Sequence, residues 1–439
     1  MSGAGNSPRD GLQDPERVSG DKATHIKRRE RHGQRTLKKL FKWLDTRLPI
    51  MNTWKRYASD YYVPNNLNLY YCLGAIALVV LFNQLLSGIW LTMFYTPTIA
   101  GAFDSIEIIM REVHFGWLFR YLHSTGASAF FIVLYLHLFR GLLYGSYQKP
   151  REFVWILGML LLMLILAEAF FGYLLPWGQM SYWGAQVMTS LLGVIPYVGD
   201  TLVAWVRGDY GVGQTTLQRF FALHVIAIPL LILLFVWLHI VALHHVGSNN
   251  PEGIDIYRIR DKKGRPLDGM PFYPVYFIKD FLAVLLFLTL FCVVVFFYPD
   301  AGGLFLEPNN FIPANRLLTP DHISPAWYMT PFYAMLRAIP HKTGGVLVMC
   351  SAVLLLFLVP WLDKSPVRSM RYKGMYSKFA LAGLVGSFFI LGYFGLTEMT
   401  SWRQWGARFC TLVYFGYFLF MPIYTRVERC ARVPDRIPV

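Results

Sequence analysis

Apolar runs of about 20 residues recur along the whole chain, each long enough to cross a hydrocarbon layer about 30 Å thick as a helix. They are read near residues 71–95, 117–143, 153–175, 220–244, 276–298, 344–362, 376–397 and 407–425. Inside a bilayer no water satisfies backbone N–H and C=O groups, so only helices or a closed barrel can span it. None of the runs shows the period-two alternation of a barrel strand. An all-α, polytopic transmembrane bundle of eight helices is therefore expected. Composition agrees, since 55% of the residues are hydrophobic and mean hydropathy is +0.39, a combination rare in water-soluble chains.

The formal net charge of +15 is carried largely by the two ends of the chain and the connections. The N-terminal arm, Lys149 and Arg151, the group from Arg258 to Arg265, the group from Lys364 to Lys378, and the tail with Arg426, Arg429 and Arg432 alternate with loops poorer in Lys and Arg. Positive loops stay cytoplasmic, so both termini are expected in the cytoplasm, and the long segments 176–219 and 299–342 on the outer side. Long segments of this kind usually carry function. Residues 1–36 are polar, lack the apolar core of a cleavable signal and read as a disordered arm. The neighbour this pattern calls for is membrane lipid, with no sign of a nucleic-acid partner. The five cysteines (Cys72, Cys292, Cys350, Cys410, Cys430) are scattered, so any iron-sulfur or covalent haem centre must belong to another subunit.

Of the eleven histidines, only His123, His137, His224 and His239 lie well inside apolar runs, two on the second and two on the fourth. The fourteen-residue step from His123 to His137 places them within about 40° of one helical face and about 21 Å apart along the axis. His224 and His239, fifteen apart, lie about 60° off a common face and about 22 Å apart. Two facing helices thus offer an outer pair, His123 with His224, and an inner pair, His137 with His239. An imidazole on each side of an iron fills both axial positions and leaves an electron carrier, not an oxygen-activating centre. Four separate helix histidines or a proton relay is the plainer alternative.

Gly74 and Gly88 on the first run, and Gly158 and Gly172 on the third, repeat the fourteen-residue spacing and would thin the helices where a porphyrin edge approaches. Taken singly they would read as helix-packing glycines. Arg120, Arg140 and Arg219 flank the histidines where haem propionates need cationic partners; Arg140 also suits a positive-inside anchor.

Over roughly residues 40–425 the chain resembles cytochrome b of the quinol–cytochrome c oxidoreductases, proteobacterial type. The stretches that carry the resemblance are RYLHSTGASAFFIVLYLHLFRGLLYGSY (120–147), GYLLPWGQMSYWGAQV (172–187), RFFALH (219–224), HHVGSNNP (244–251), FIKD (277–280), HISPAWY (322–328) and YAMLRAIPHKTGGV (333–346). It implies a bacterial inner-membrane protein with a four-helix di-haem core in residues 37–250 and a quinone-site domain in 251–439. His123 and His224 would hold a low-potential haem b, and His137 and His239 a high-potential one. It further implies ubiquinol oxidation in an outer pocket lined by Phe170, Tyr173, Gly184, Pro325, Tyr328 and Tyr333. Quinone would be reduced at an inner site with His244, Ser248, Lys279 and Asp280, although His244 and Lys279 would otherwise read as interfacial anchors. A Rieske iron-sulfur protein, a c-type cytochrome subunit and a homodimer are the implied partners, in a proton-translocating Q cycle. A di-haem dehydrogenase anchor and a proton-coupled transporter are the rivals; the first has no need of the PAWY segment, and the second would show no haem spectrum.

Two departures stand out. The fourth-run spacing is fifteen where the mitochondrial pattern has fourteen, and should rotate or stretch that helix slightly. In the PAWY segment Ala326 stands where the commonest family motif has the glutamate that takes a proton from quinol. Glu168, a carboxylate inside the third run and four residues before Gly172, is the expected substitute, although its face points toward the haem-side glycines; Glu307, Asp321 and His322 are alternatives.

Overall fold

Eight apolar helical segments organise the chain in a computed structural model that describes residues 3, 38–39, 41–55 and 59–438. The arm expected over residues 1–36 lies, apart from Gly3, outside the described residues. Two units are described separately: the described residues up to Tyr61 with Pro271–Tyr273, and Tyr62–Met270 with Pro274–Val439. All that follows concerns the second.

Among the described residues seven helices are long and apolar enough to span, α1 (Leu69–Thr92), α2 (Gly116–Tyr144), α3 (Glu152–Leu174), α4 (Gln214–Val246), α5 (Phe277–Phe297), α6 (Lys342–Leu362) and α7 (Met375–Leu396), and an eighth, α8 (Ser401–Leu419), does so together with the segment after it. The last differs from expectation. It starts six residues before the expected 407 and is followed by Met421–Val427 at an angle of 57°, where Pro422 sits in the first turn and cannot donate the N–H that would continue the ladder. At the end of α2, Gly145 adopts φ +63°, the left-handed cap that stops a helix. A side chain there would also strike the Arg368 carbonyl, 2.2 Å from its Cβ.

α4 is not uniform. Its residues Leu223–Ala227 form a π turn in which the N–H of Ile228 donates to the carbonyl of Leu223, five residues back. Pro229 follows immediately. It has no N–H for the carbonyl of Val225, and its ring crowds that carbonyl, so the ladder is already loosened there and accepts an extra residue. The one-residue surplus between His224 and His239 is taken up in this turn. Because a π turn inserts a residue without advancing the rest of the helix, fifteen residues here subtend about what fourteen do in a regular helix.

α1 packs on α2 and α4 on α3, while α5 covers α1 and α2 and α6 covers the back of α3. The outer segments contain short helices, Gln179–Ser190 and Gly199–Arg207 in the first and Thr330–Ala338 in the second. Asn315 N–H donates to Gln179 Oε1 at 2.6 Å, joining these two segments. The helix Thr330–Ala338 wedges between α6, α7 and α8 on the small, fully buried faces of Ala334 and Ala338. At the other end of the bundle Tyr147, Gln148 and Lys373 converge on the buried carboxylate of Asp363 and join the end of α2 to the α6–α7 connection.

Candidate functional site

Each of the four intramembrane histidines lies against one of the four spaced glycines, on the neighbouring helix. A methyl group built at Gly172 would stand 2.3 Å from Cε1 of His224, at Gly88 3.1 Å from His123, at Gly158 3.3 Å from His239 and at Gly74 3.7 Å from His137. Among the protein's own groups, the one that approaches each glycine is an imidazole. α1 backs the two histidines of α2, and α3 backs the two of α4, so both sets face the space between α2 and α4.

Hydrogen bonds fix the outer rings. Ser87 Oγ donates to Asn83 O at 2.6 Å, so its oxygen is the acceptor for Nδ1–H of His123 at 3.0 Å. Nδ1–H of His224 donates to the carbonyl of Glu168 at 2.9 Å. Both imidazoles therefore present a bare Nε2, the state in which histidine binds a metal.

The fit to haem can be tested on distance. The His123 and His224 ring centroids are 6.0 Å apart. Two imidazole–metal bonds of about 2.0 Å and two ring half-widths of about 1.1 Å sum to roughly 6 Å, so one iron fits between them. Among the described residues no group of three or more His, Cys, Asp or Glu could hold a bare metal ion. Two ligands facing each other suit an iron whose other four positions a macrocycle fills.

Beside the outer pair, α3 and the PAWY segment border a narrow apolar slot lined by Phe170, Tyr173, Gly184, Pro325, Ala326 and Tyr328, with Ala169, Met188 and Met329. The segment is pinned to α2: the Tyr328 ring stacks on Phe131 at 3.8 Å, its carbonyl accepts from the Tyr135 hydroxyl, and Trp327 Nε1 donates to Ser128 Oγ at 3.0 Å. Burial holds the Tyr328 hydroxyl well above the ordinary tyrosine range, which suits it to donate a hydrogen bond, not to accept a proton. An apolar slot with aromatic walls positions a flat ring and excludes water.

Family models for cytochrome b/b6/petB and for cytochrome b (C-terminal)/b6/petD match residues 58–247 and 313–415. The chain belongs to the cytochrome b family. It is 52% identical over 405 residues to the cytochrome b of Allochromatium vinosum, covering 90% of this chain and 97% of that one. To that of Rhodospirillum rubrum it is 47% identical, covering 91% and 95%. A solved hyperthermophilic respiratory complex III contains a chain with TM-score 0.82 and 36% identity, covering 88% of this chain and 99% of that one. Membership makes this chain a membrane-embedded, haem-binding protein of electron transport.

In this cytochrome b the structure departs from several sequence expectations. Glu168 does not line the slot. Its Oε1 lies 3.0 Å from Nδ1 of His224, because its position one turn before Gly172 puts it on the face that α4 covers. It is therefore placed beside an imidazole, and among the described residues the slot's lining has no carboxylate. Tyr333 also stands away from the lining: its hydroxyl donates to Ile323 O at 2.9 Å, and Arg337 lies over its ring. Of the alternatives, Glu307 accepts from the Asn309 amide, and burial followed by the charge of Arg337 lowers the pKa of His322.

The flanking arginines divide. Arg140 Nη2 lies 3.4 Å from Nδ1 of His137, and its guanidinium covers the Tyr71 ring at 4.9 Å. Arg219 donates to the Trp205 carbonyl. Arg120 stands one turn before His123 on α2. At the opposite end of the bundle His244 occupies the last turn of α4, with Ser248 just beyond it, and Lys279 and Asp280 open α5. Oδ1 of Asp280 is buried without a hydrogen-bond partner. Cys72, at the start of α1, adjoins Tyr276 with Sγ 3.9 Å from its hydroxyl, a neighbour that the sequence did not flag.

Proposed function

We propose that this cytochrome b is the two-haem subunit of a quinol–cytochrome c oxidoreductase. It oxidises quinol in the outer slot and reduces quinone at the inner end, coupled to proton translocation. His123 and His224 would hold the outer, low-potential haem b, and His137 and His239 the inner, high-potential one. Haem b bound by two imidazoles supplies a one-electron carrier with no open coordination position. The observation that carries this reading is the 6.0 Å separation of the outer imidazoles, each seated on a glycine of the helix behind it.

The residues supply binding, orientation and proton handling. Phe170, Tyr173, Pro325 and Tyr328 hold the quinol ring, and the backbone and Ser87 acceptors keep Nε2 of each outer histidine free for iron. Release of two protons to the outer side accompanies oxidation. His244 and Asp280 bring an imidazole and a carboxylate to the inner quinone, a pair suited to delivering two protons. Membrane orientation with both termini in the cytoplasm follows from the basic loops. The partners proposed are a Rieske iron-sulfur protein, which takes the first electron, and a c-type cytochrome. In support, one relative, from Bradyrhizobium diazoefficiens, is a cytochrome b/c1 of which this chain covers 56%. A homodimer in the bacterial inner membrane, with 37–250 as the di-haem domain and 251–439 as the quinone-site domain, completes the proposal.

Reductive titration of the purified protein tests it. Two b-type transitions at distinct potentials are expected; a colourless preparation, or a single transition at full loading, refutes it.

A further inference from the structure

Nδ1–H of His224 is shared between two acceptors of one residue, the carbonyl of Glu168 at 2.9 Å and its carboxylate Oε1 at 3.0 Å. The carbonyl alone would orient the ring, so the carboxylate adds a charge to a bond that is already made. Both side chains are largely buried, 15% and 19% exposed, and Oε2 of Glu168 is buried without a hydrogen-bond partner. Among the described residues no Lys or Arg pairs with Glu168, whose close partner is His224. A carboxylate at membrane depth without a Lys or Arg is costly unless a positive centre lies close by, and an iron on the far nitrogen of the same ring is such a centre.

The other histidines are treated differently. His123 has a neutral hydroxyl, Ser87, at Nδ1, while the nearest charged group to Nδ1 of His137 is the guanidinium of Arg140 at 3.4 Å. A carboxylate thus adjoins the outer pair, which also has Arg120 one turn from His123, while the inner pair has a guanidinium beside it.

We propose that Glu168 is a positioning and tuning residue for the outer haem, its carboxylate acting through His224 to lower that haem's midpoint potential relative to the inner one. A hydrogen bond from an axial imidazole to an anion raises the basicity of the ligating nitrogen. The added negative charge favours the oxidised iron, which carries one more positive charge than the reduced. Arg140 acts in the opposite sense at the inner pair, so these two side chains favour the inner position for an electron. The inference rests on the reading that His224 holds a haem.

The test is potentiometric titration of the complete complex carrying Glu168→Gln, which keeps an acceptor oxygen and the volume but removes the charge. The lower-potential haem should rise so that its oxidised-to-reduced ratio at a fixed solution potential falls at least tenfold, which for one electron is about 59 mV; the other should stay in place. Unchanged potentials, or equal shifts of both, overturn the proposal. Loss of the outer haem in Glu168→Gln also overturns it, since an amide oxygen suffices for positioning. Failure of the wild-type complex to show two transitions would instead defeat the haem assignment itself, and so is distinguishable.

Discussion

Replacing Gly172 by alanine should remove the outer haem, and the structure says by how much the site is overfilled. The new methyl would lie 2.3 Å from Cε1 of His224, with Nδ1 and Nε2 at 2.8 and 2.9 Å. Ordinary contact begins near 3.4 Å, so the ring must retreat by about 1.1 Å (3.4 − 2.3), several times the tolerance of about 0.2 Å in a metal–ligand bond. Moving α3 from α4 instead incurs an overpacking cost of about 1–3 kcal/mol. Against this, alanine gains roughly 0.5–1 kcal/mol over glycine inside a helix, which is too little to offset it. Gly74 supplies the control: at 3.7 Å from His137 a methyl fits, the helix gain is unopposed, and Gly74→Ala should keep its haem. Reduced-minus-oxidised spectra with potentiometric resolution measure both. The reasoning fails if Gly172→Ala retains a full outer haem at the wild-type potential, or if Gly74→Ala loses its haem as completely.

His239→Ala should abolish the inner b-type transition and leave the outer one, which a redox titration of isolated membranes would show. Gly184 lines the slot, and a Cβ there meets nothing within 4 Å, so Gly184→Leu fills space that quinol needs; turnover should fall at least tenfold in a quinol–cytochrome c assay with both haem spectra intact. Lys373→Met leaves the Asp363 carboxylate buried without its cation, a loss of about 3–5 kcal/mol that thermal unfolding of the complex would report. Burial alone would raise the pKa of Asp363, but Lys373 and the hydrogen bonds of Tyr147 and the Ser365 amide more than offset it and hold it below the carboxylate range. A carboxyl lowered on folding contributes stability above its unfolded pKa of about 3.9 and loses it as pH falls through the folded value. Thermal stability should therefore drop below about pH 4, and the drop should be smaller in Asp363→Asn.

The histidine pairs were legible because an apolar run leaves a polar residue nowhere to hide, and because fourteen residues nearly complete four turns. The glycines were legible as spacing but not as contacts, since spacing cannot say which group approaches. The π turn has no periodic signature in the sequence, although Pro229 so close to His224 marks where the ladder is weakest. Glu168 was readable from its four-residue distance to Gly172, which puts both on one face. The missing carboxylate in PAWY instead drew it toward the quinol. The bend at Phe420–Met421 escaped because Pro422 lies within an otherwise apolar run. The helices inside the outer segments escaped because Gly, Pro and aromatic residues there mask the helical period.

The π turn at Leu223–Ala227 works as a clutch between length and direction. Residues can be added to the chain at that point while the imidazoles on either side keep their aim, because the surplus becomes a local widening and is not passed on as rotation. The straight ladder from Pro229 to His239 has no such slack, and a residue added there would swing the lower ligand by about 100°. Lengthening of this helix is therefore confined to a single turn, the one that holds the outer ligand.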